Sequence, residues 1–230
     1  MTKPTITKIT SIGGQSGSAY VATPDSASSN APVPGMLLFH AFRGLTQEFI
    51  DFAETYAKRG YLAVAVDLYY GETSEDFTVA RQLMDAMDED ACTDLAVSWA
   101  DWLRSHSLCT GKIGTVGWCL GGTWSLSTSI ATPVDATVIY YGNVAKPAEA
   151  LSVLHGPVLG HFGTKDEVFG KDLVDSFEEG MAKVGKADAY TNHWYEADHA
   201  FANTGGPSFH EESATLADDR TWDFLKHHLS

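Results

Sequence analysis

Apolar residues in this chain fall into two alternating patterns. Short unbroken runs recur: Gly35–His40, Tyr61–Val66, Lys112–Gly117, Ala136–Tyr141 and Pro157–Phe162. Runs of this length, bounded by turn residues, read as buried strands. Tyr190–Tyr195 is a further strand. Between them, apolar residues return at helical spacing. Gln47–Arg59 places Phe49, Phe52, Ala53 and Tyr56 on one face, and Arg59-Gly60 stops it. A long polar-to-helical region runs from Gly71 to His106, and its part Thr93–His106 spaces Leu95, Trp99, Trp102 and Leu103 as a helix. Thr123–Ala131, Lys171–Val184 and Ala214–Leu229 complete the helical segments. Ahead of all these, Ile6–Ile12 and Ser18–Thr23 flank Gly13–Gly17 as an antiparallel hairpin, and Pro24–Pro34 reads as a surface loop. Strands alternating with helices predict an α/β fold: a mostly parallel sheet of about eight strands with helices on both faces. No repeat or compositional break divides the chain, so residues 1–230 are expected to form a single domain. In such sheets ligands bind beyond the carboxyl ends of the strands.

Composition narrows the partners. The chain has 30 acidic and 15 basic residues and a formal charge of −15, which argues against nucleic acid or an anionic membrane as partner. No apolar run approaches the roughly 20 residues of a membrane-spanning helix, and Met1–Thr5 lacks the apolar core of a signal peptide. Three cysteines, Cys92, Cys109 and Cys119, are no disulfide framework. A reactive Cys119 would have to stay reduced, which suits the cytoplasm. Nine histidines raise the question of a metal. No H-x-x-x-H or C-x-x-C spacing supports one, so no metal or cofactor is expected.

The chemistry concentrates in Gly117-Trp118-Cys119-Leu120-Gly121-Gly122, between a predicted strand and a predicted helix. A G-x-nucleophile-x-G turn in that setting is a nucleophile elbow. Its glycines leave room for a sharp, strained turn. The helix that follows aims its N–H groups at the sulfur, favouring thiolate and a developing oxyanion. The bland alternative is a glycine-rich turn around a structural cysteine. A cysteine nucleophile needs a base, and the base an orienting acid. Asp166, in Gly163-Thr164-Lys165-Asp166, follows one predicted strand. His199, in Glu196-Ala197-Asp198-His199, follows another. The order nucleophile, acid, histidine is that of α/β-hydrolases. Asp166 could equally be a turn residue, and Asp198 is the second candidate for the acid. Two backbone N–H groups are needed for the oxyanion: Leu120 supplies one, and the loop after Gly35–His40 the other, with Phe42 the best donor and Ala41 second.

These motifs, with Asp67-Leu68-Tyr69 and His199-Ala200-Phe201-Ala202, resemble the dienelactone hydrolase family of α/β-hydrolases over about residues 35–230. The resemblance implies a Cys119–His199–Asp166 triad that opens lactones or activated esters through a thioester. It implies a small-molecule substrate and neither metal nor cofactor. It also exposes departures. A family glutamate after the third strand is replaced by Ala41. A family arginine past the histidine motif, which binds the substrate carboxylate, is replaced by Asn203. A second family arginine falls at Phe77, with Arg81 one helical turn further on, and Arg43 is another candidate cation. Arg81, Arg43 and Asn203 are therefore the candidate substrate-binding residues. The expectation is a cytoplasmic ester or lactone hydrolase, monomeric or homodimeric. Its rivals are a thioesterase or acyl transferase on the same triad, and a binding protein that kept the elbow without turnover.

Overall fold

The structure is a computed structural model and describes residues 5–230; Met1–Pro4, which begin the segment read for a signal peptide, lie outside the described residues. The chain divides into two compact units, Met1–Thr115 and Val116–Ser230. The division falls inside one strand of an eight-stranded sheet.

The first unit holds β1 (Thr5–Thr10), β2 (Ser16–Ala22), β3 (Val33–Phe39), α1 (Gln47–Lys58), β4 (Leu62–Val66), α2 (Phe77–Asp85), α3 (Glu89–Ser105) and the start of β5 (Cys109–Trp118). β1 and β2 form the expected hairpin, β2 pairs antiparallel with β4, and β3 pairs parallel with β4. Side chains alternate along β2. A Cβ at Gly17 would meet Leu95 of α3, while Tyr20, an odd number of residues on, reaches Glu54 of α1 with its hydroxyl. The two helices therefore cover opposite faces. β4 is buried at every position, as a strand covered on both sides must be.

The region Gly71–His106 holds two helices rather than one. Asp76 caps α2 by accepting from the Val79 N–H at 3.0 Å, and Asp88 caps α3 by accepting from the Ala91 N–H at 3.0 Å. Each is an aspartate at an N-cap, where its carboxylate satisfies an amide the helix leaves open. The first turn of α3 is Glu89-Asp90-Ala91-Cys92, so apolar spacing becomes legible only from Leu95.

The second unit holds the end of β5, then α4 (Leu120–Ala131), β6 (Ala136–Tyr140), α5 (Ala148–Leu151), β7 (Val158–Gly163), α6 (Lys171–Lys183), β8 (Tyr190–Tyr195) and α7 (Glu211–Leu229). β6, β7 and β8 are parallel. Ile139, Val158 and Phe162 point to one face and pack with Leu126 of α4 and Val174, Phe177 and Met181 of α6. Tyr140 and His161 point the other way and bond to α7. The strand order is β1-β2-β4-β3-β5-β6-β7-β8. Of the pairs just described, only those made by β2 are antiparallel, so the sheet is mostly parallel with helices on both faces.

Candidate active site

The site is built where β5, β6, β7 and β8 end. β5 runs into Cys119, whose φ is 55° and ψ −115°, and α4 begins at the next residue. A non-glycine residue with positive φ is strained. Two glycines make the turn possible. A Cβ on Gly117 would collide with the Gly121 backbone, and one on Gly122 would lie 2.9 Å from both Gly142 Cα and Tyr140 O. Only glycine lets strand, turn and helix approach this closely. The Cys119 N–H donates to Tyr140 O at 3.0 Å, tying the elbow to the end of β6. Leu120 is the first helical residue of α4, so its N–H is among those a helix leaves unpaired. No acidic residue stands in the first turn of α4 to oppose an anion there.

His199 and Asp166 converge on the sulfur. His199 Nδ1 lies 2.8 Å from Asp166 Oδ2, and His199 Nε2 lies 3.2 Å from Cys119 Sγ. Asp166 also accepts from the Val168 and Phe169 N–H groups at 2.7 and 2.8 Å, both on Oδ1. The two oxygens of Asp166 thus have different partners: Oδ1 closes the turn and Oδ2 faces the histidine. Its side chain is 0% exposed and that of His199 19%. A buried carboxylate with these partners makes Nδ1 the donor and leaves Nε2 toward the sulfur. Burial works against a charged imidazole. The hydrogen bonds to Asp166 and Cys119, with the charges of both, outweigh it and hold His199 at about 9. Aromatic rings enclose the histidine: Tyr141 at 5.2 Å and Phe169 at 5.5 Å, both edge-on. Tyr141 also has positive φ, 38°.

The chain has known relatives. A sequence model of the Dienelactone hydrolase family matches residues 18–229. The chain belongs to the dienelactone hydrolase family. The carboxymethylenebutenolidase of Pseudomonas putida is 29% identical, with 94% of each chain covered. Carboxymethylenebutenolidase 1 of Cupriavidus pinatubonensis is 26% identical, over 95% of this chain and 94% of that one. Among solved structures, a dienelactone hydrolase-like promiscuous phosphotriesterase from metagenomic libraries superposes with a TM-score of 0.85 at 17% identity, covering 99% of both chains. That likeness concerns the fold alone. Family membership makes the chain a hydrolase.

The remaining candidates are distributed differently. Asp198 is exposed, unlike Asp166. Asn203, where the family resemblance expects an arginine, turns its Oδ1 back to accept from the Gly205 N–H at 3.0 Å. Phe42, Arg43 and Arg81 belong to the first unit. The Phe42 carbonyl accepts from the Tyr69 hydroxyl at 3.1 Å, and its ring packs edge-on against Phe77 at 5.5 Å. Arg43 pairs with Glu75 at 3.1 Å and also donates to the Glu75 carbonyl. Arg81 pairs with Asp85, one turn along α2, at 2.9 Å. Both candidate cations thus already hold a carboxylate. Cys92 is buried and accordingly pushed up to about 12, with Asp88 and Glu89 adding to the effect. Tyr141 and Phe169 lie outside the motifs that the sequence displays. The Asp166-x-Val168-Phe169 turn and the Tyr141-Gly142 strand end are the local signals that could have marked them. Among the described residues no three of His, Cys, Asp and Glu gather as a metal site requires, and no helix is long and apolar enough to cross a membrane.

Proposed function

We propose that this chain hydrolyses carboxylic esters or lactones, with Cys119 as nucleophile, His199 as acid and base, and Asp166 as the orienting carboxylate. The observation that carries the reading is the pair of contacts at His199: Nδ1 to Asp166 Oδ2 at 2.8 Å and Nε2 to Cys119 Sγ at 3.2 Å. The sulfur attacks the carbonyl carbon, the oxyanion takes a hydrogen bond from the Leu120 amide, and the leaving alkoxide takes the proton on Nε2. The thioester that remains carries no charge on sulfur. The part of the His199 lift that comes from Cys119 then disappears, and the imidazole becomes neutral and free to deprotonate water. Water adds to the thioester, its proton passes to Nε2, and the sulfur leaves. The carboxymethylenebutenolidase relatives support the substrate class. The family match over 18–229 supports treating the two units as one domain. A nucleophilic thiol fits a reducing compartment such as the cytoplasm.

The pH dependence follows with its sign. His199 is raised from 6.5 to about 9 in the folded chain. Its charged form therefore stabilises the fold fully below about 6.5, and that contribution is lost as pH rises through about 9. Acylation by an ethyl ester, whose poor leaving group needs the proton, is expected to fall over the same alkaline limb. A p-nitrophenyl ester, which leaves without it, is expected to fall less. Single-turnover rates for both esters between neutral pH and pH 10 check this. A parallel decline for the two would remove His199 as the acid.

Substrate charge is a second expectation. A carboxylate on the substrate requires a cation in a site shielded from water, and an unpaired buried charge costs several kcal/mol. Ala41 and Asn203 carry no charge, and Arg43 and Arg81 are engaged with Glu75 and Asp85. Neutral esters are expected to exceed carboxylate-bearing esters of equal size in kcat/KM. Arg43→Ala and Arg81→Ala should leave that order unchanged. A preference for the anion, lost in either variant, would restore a dienelactone-like clamp.

A further inference from the structure

A line of side-chain hydrogen bonds crosses β6, β7 and β8 and begins and ends on α7. Arg220 Nη1 donates to the Tyr195 hydroxyl at 3.1 Å, with the guanidinium 5.4 Å over the Tyr195 ring. Tyr195 Oη lies 2.9 Å from His161 Nδ1, and His161 Nε2 lies 3.0 Å from Thr221 Oγ1. Thr221 Oγ1 lies 2.8 Å from Tyr140 Oη, which donates to Asp218 Oδ1 at 2.9 Å. Tyr140, His161, Tyr195 and Thr221 are all buried.

One arrangement of protons satisfies every member. A guanidinium only donates and a carboxylate only accepts, so the two ends set the direction. Tyr195 receives from Arg220 and gives its proton to His161 Nδ1. The ring then carries its proton on Nε2 and gives it to Thr221. Thr221 gives its own to Tyr140, and Tyr140 gives to Asp218. A protonated His161 would turn a second donor toward Tyr195. Burial, with the neighbouring His193 and Arg220, holds the ring neutral, well below its ordinary value.

The same strand residues hold the candidate triad through their backbones. Tyr140 O accepts from Cys119 N–H at 3.0 Å. His161 O accepts from Tyr141 N–H at 2.8 Å, and the Tyr141 ring stands against His199. Tyr195 O accepts from Thr164 N–H at 2.7 Å, in the loop that carries Asp166. None of the line's side chains touches Cys119 Sγ or His199 in the contacts described. Buried networks of this kind, when every member is satisfied, fix one arrangement of the groups around them.

We propose that Thr221 is a positioning residue: with His161, Tyr140 and Tyr195 it locks the ends of three strands from α7 and so sets the Cys119–His199–Asp166 geometry. This rests on the triad reading above. The test uses Thr221→Val, which keeps the shape and removes the hydroxyl, beside Thr221→Ser, which keeps the hydroxyl, and Arg220→Met, which removes the first donor. Two quantities are read: kcat and KM on p-nitrophenyl acetate, and the pH midpoint for alkylation of Cys119 by iodoacetamide, located by peptide mass. Displacements of about 1 Å at a reacting pair cost rate steeply, so Thr221→Val should lose about ten-fold or more in kcat with KM little changed. Its alkylation midpoint should rise as the imidazole loosens its hold on the sulfur, and Thr221→Ser should restore both. A folded Thr221→Val that melts lower yet keeps the wild-type kcat and midpoint would reduce the line to a fastening for α7 and overturn the proposal. If Thr221→Val does not fold, Arg220→Met decides by the same two readings, with a smaller shift in the same direction expected and no shift overturning it. Failure of the triad reading looks different: wild-type Cys119 would then alkylate no faster than Cys109, and this proposal would fall with it.

Discussion

Cys119→Ala is expected to abolish hydrolysis of p-nitrophenyl acetate, with kcat down by about 10⁶-fold, the scale on which loss of a nucleophile acts. The expectation follows from geometry. Cys119 Sγ is the atom that His199 Nε2 approaches, at 3.2 Å, and it stands at the start of α4 where a helix's free amides are found. The other two thiols are controls. Cys92 is buried and pushed up to about 12, and Cys109 Sγ accepts from the Gly111 N–H at 3.4 Å in its own strand. Cys92→Ala and Cys109→Ala should therefore change kcat by less than about two-fold, although Cys92→Ala should cost some stability through the cavity it leaves. Substantial turnover in Cys119→Ala, measured against a blank without enzyme, would remove covalent catalysis by this residue.

Asp166→Asn should lower kcat by about 10⁴-fold with a far smaller effect on thermal stability. The mechanism is a tautomer reversal. Asp166 Oδ1 accepts from the Val168 and Phe169 amides at 2.7 and 2.8 Å, so an asparagine there keeps its oxygen in that turn. Its NH₂ then replaces Oδ2 opposite His199 Nδ1. Two donors cannot face each other, so Nδ1 gives up its proton and Nε2 carries one, directed at the sulfur. The imidazole can no longer take a proton from Cys119, and the charge that helped to hold His199 at about 9 is gone. Asp198→Asn, at an exposed position, should cost less than about three-fold, as surface substitutions ordinarily do. The measurement is kcat with a melting curve for each variant. A larger loss in Asp198→Asn than in Asp166→Asn would move the acid to residue 198.

Much of this architecture is written locally. Buried strands such as Leu62–Val66 are apolar at every position because both faces are covered, and that leaves a mark in sequence. The elbow is legible for a related reason: Gly117 and Gly122 are required by backbone contacts inside one short segment. Asp166 and His199 come together because each follows a strand, and parallel strands end on the same side. The break between α2 and α3 leaves no mark in the apolar pattern, since its Asp88 cap is followed by a polar first turn that carries no apolar period. α5, of four residues, is too short to show any period at all.

What tertiary structure alone decided is the set of contacts that join distant residues without a shared motif. Sequence permits Asp166 as either a turn residue or the acid; only the fold gives its two oxygens different partners. Tyr141 and Phe169 come to enclose His199 through packing. Tyr140 meets Asp218 and His161 meets Thr221 because α7 crosses the face of β6 and β7 that carries those side chains. Hydrophobic period records which side of an element is buried, not which polar atom on another element will face it. The chain alone therefore determined an α/β sheet with a glycine-flanked strand-to-helix turn at Cys119, and with Asp166 and His199 following later strands. The arrangement of protons around them was decided by how the helices sit on the strands.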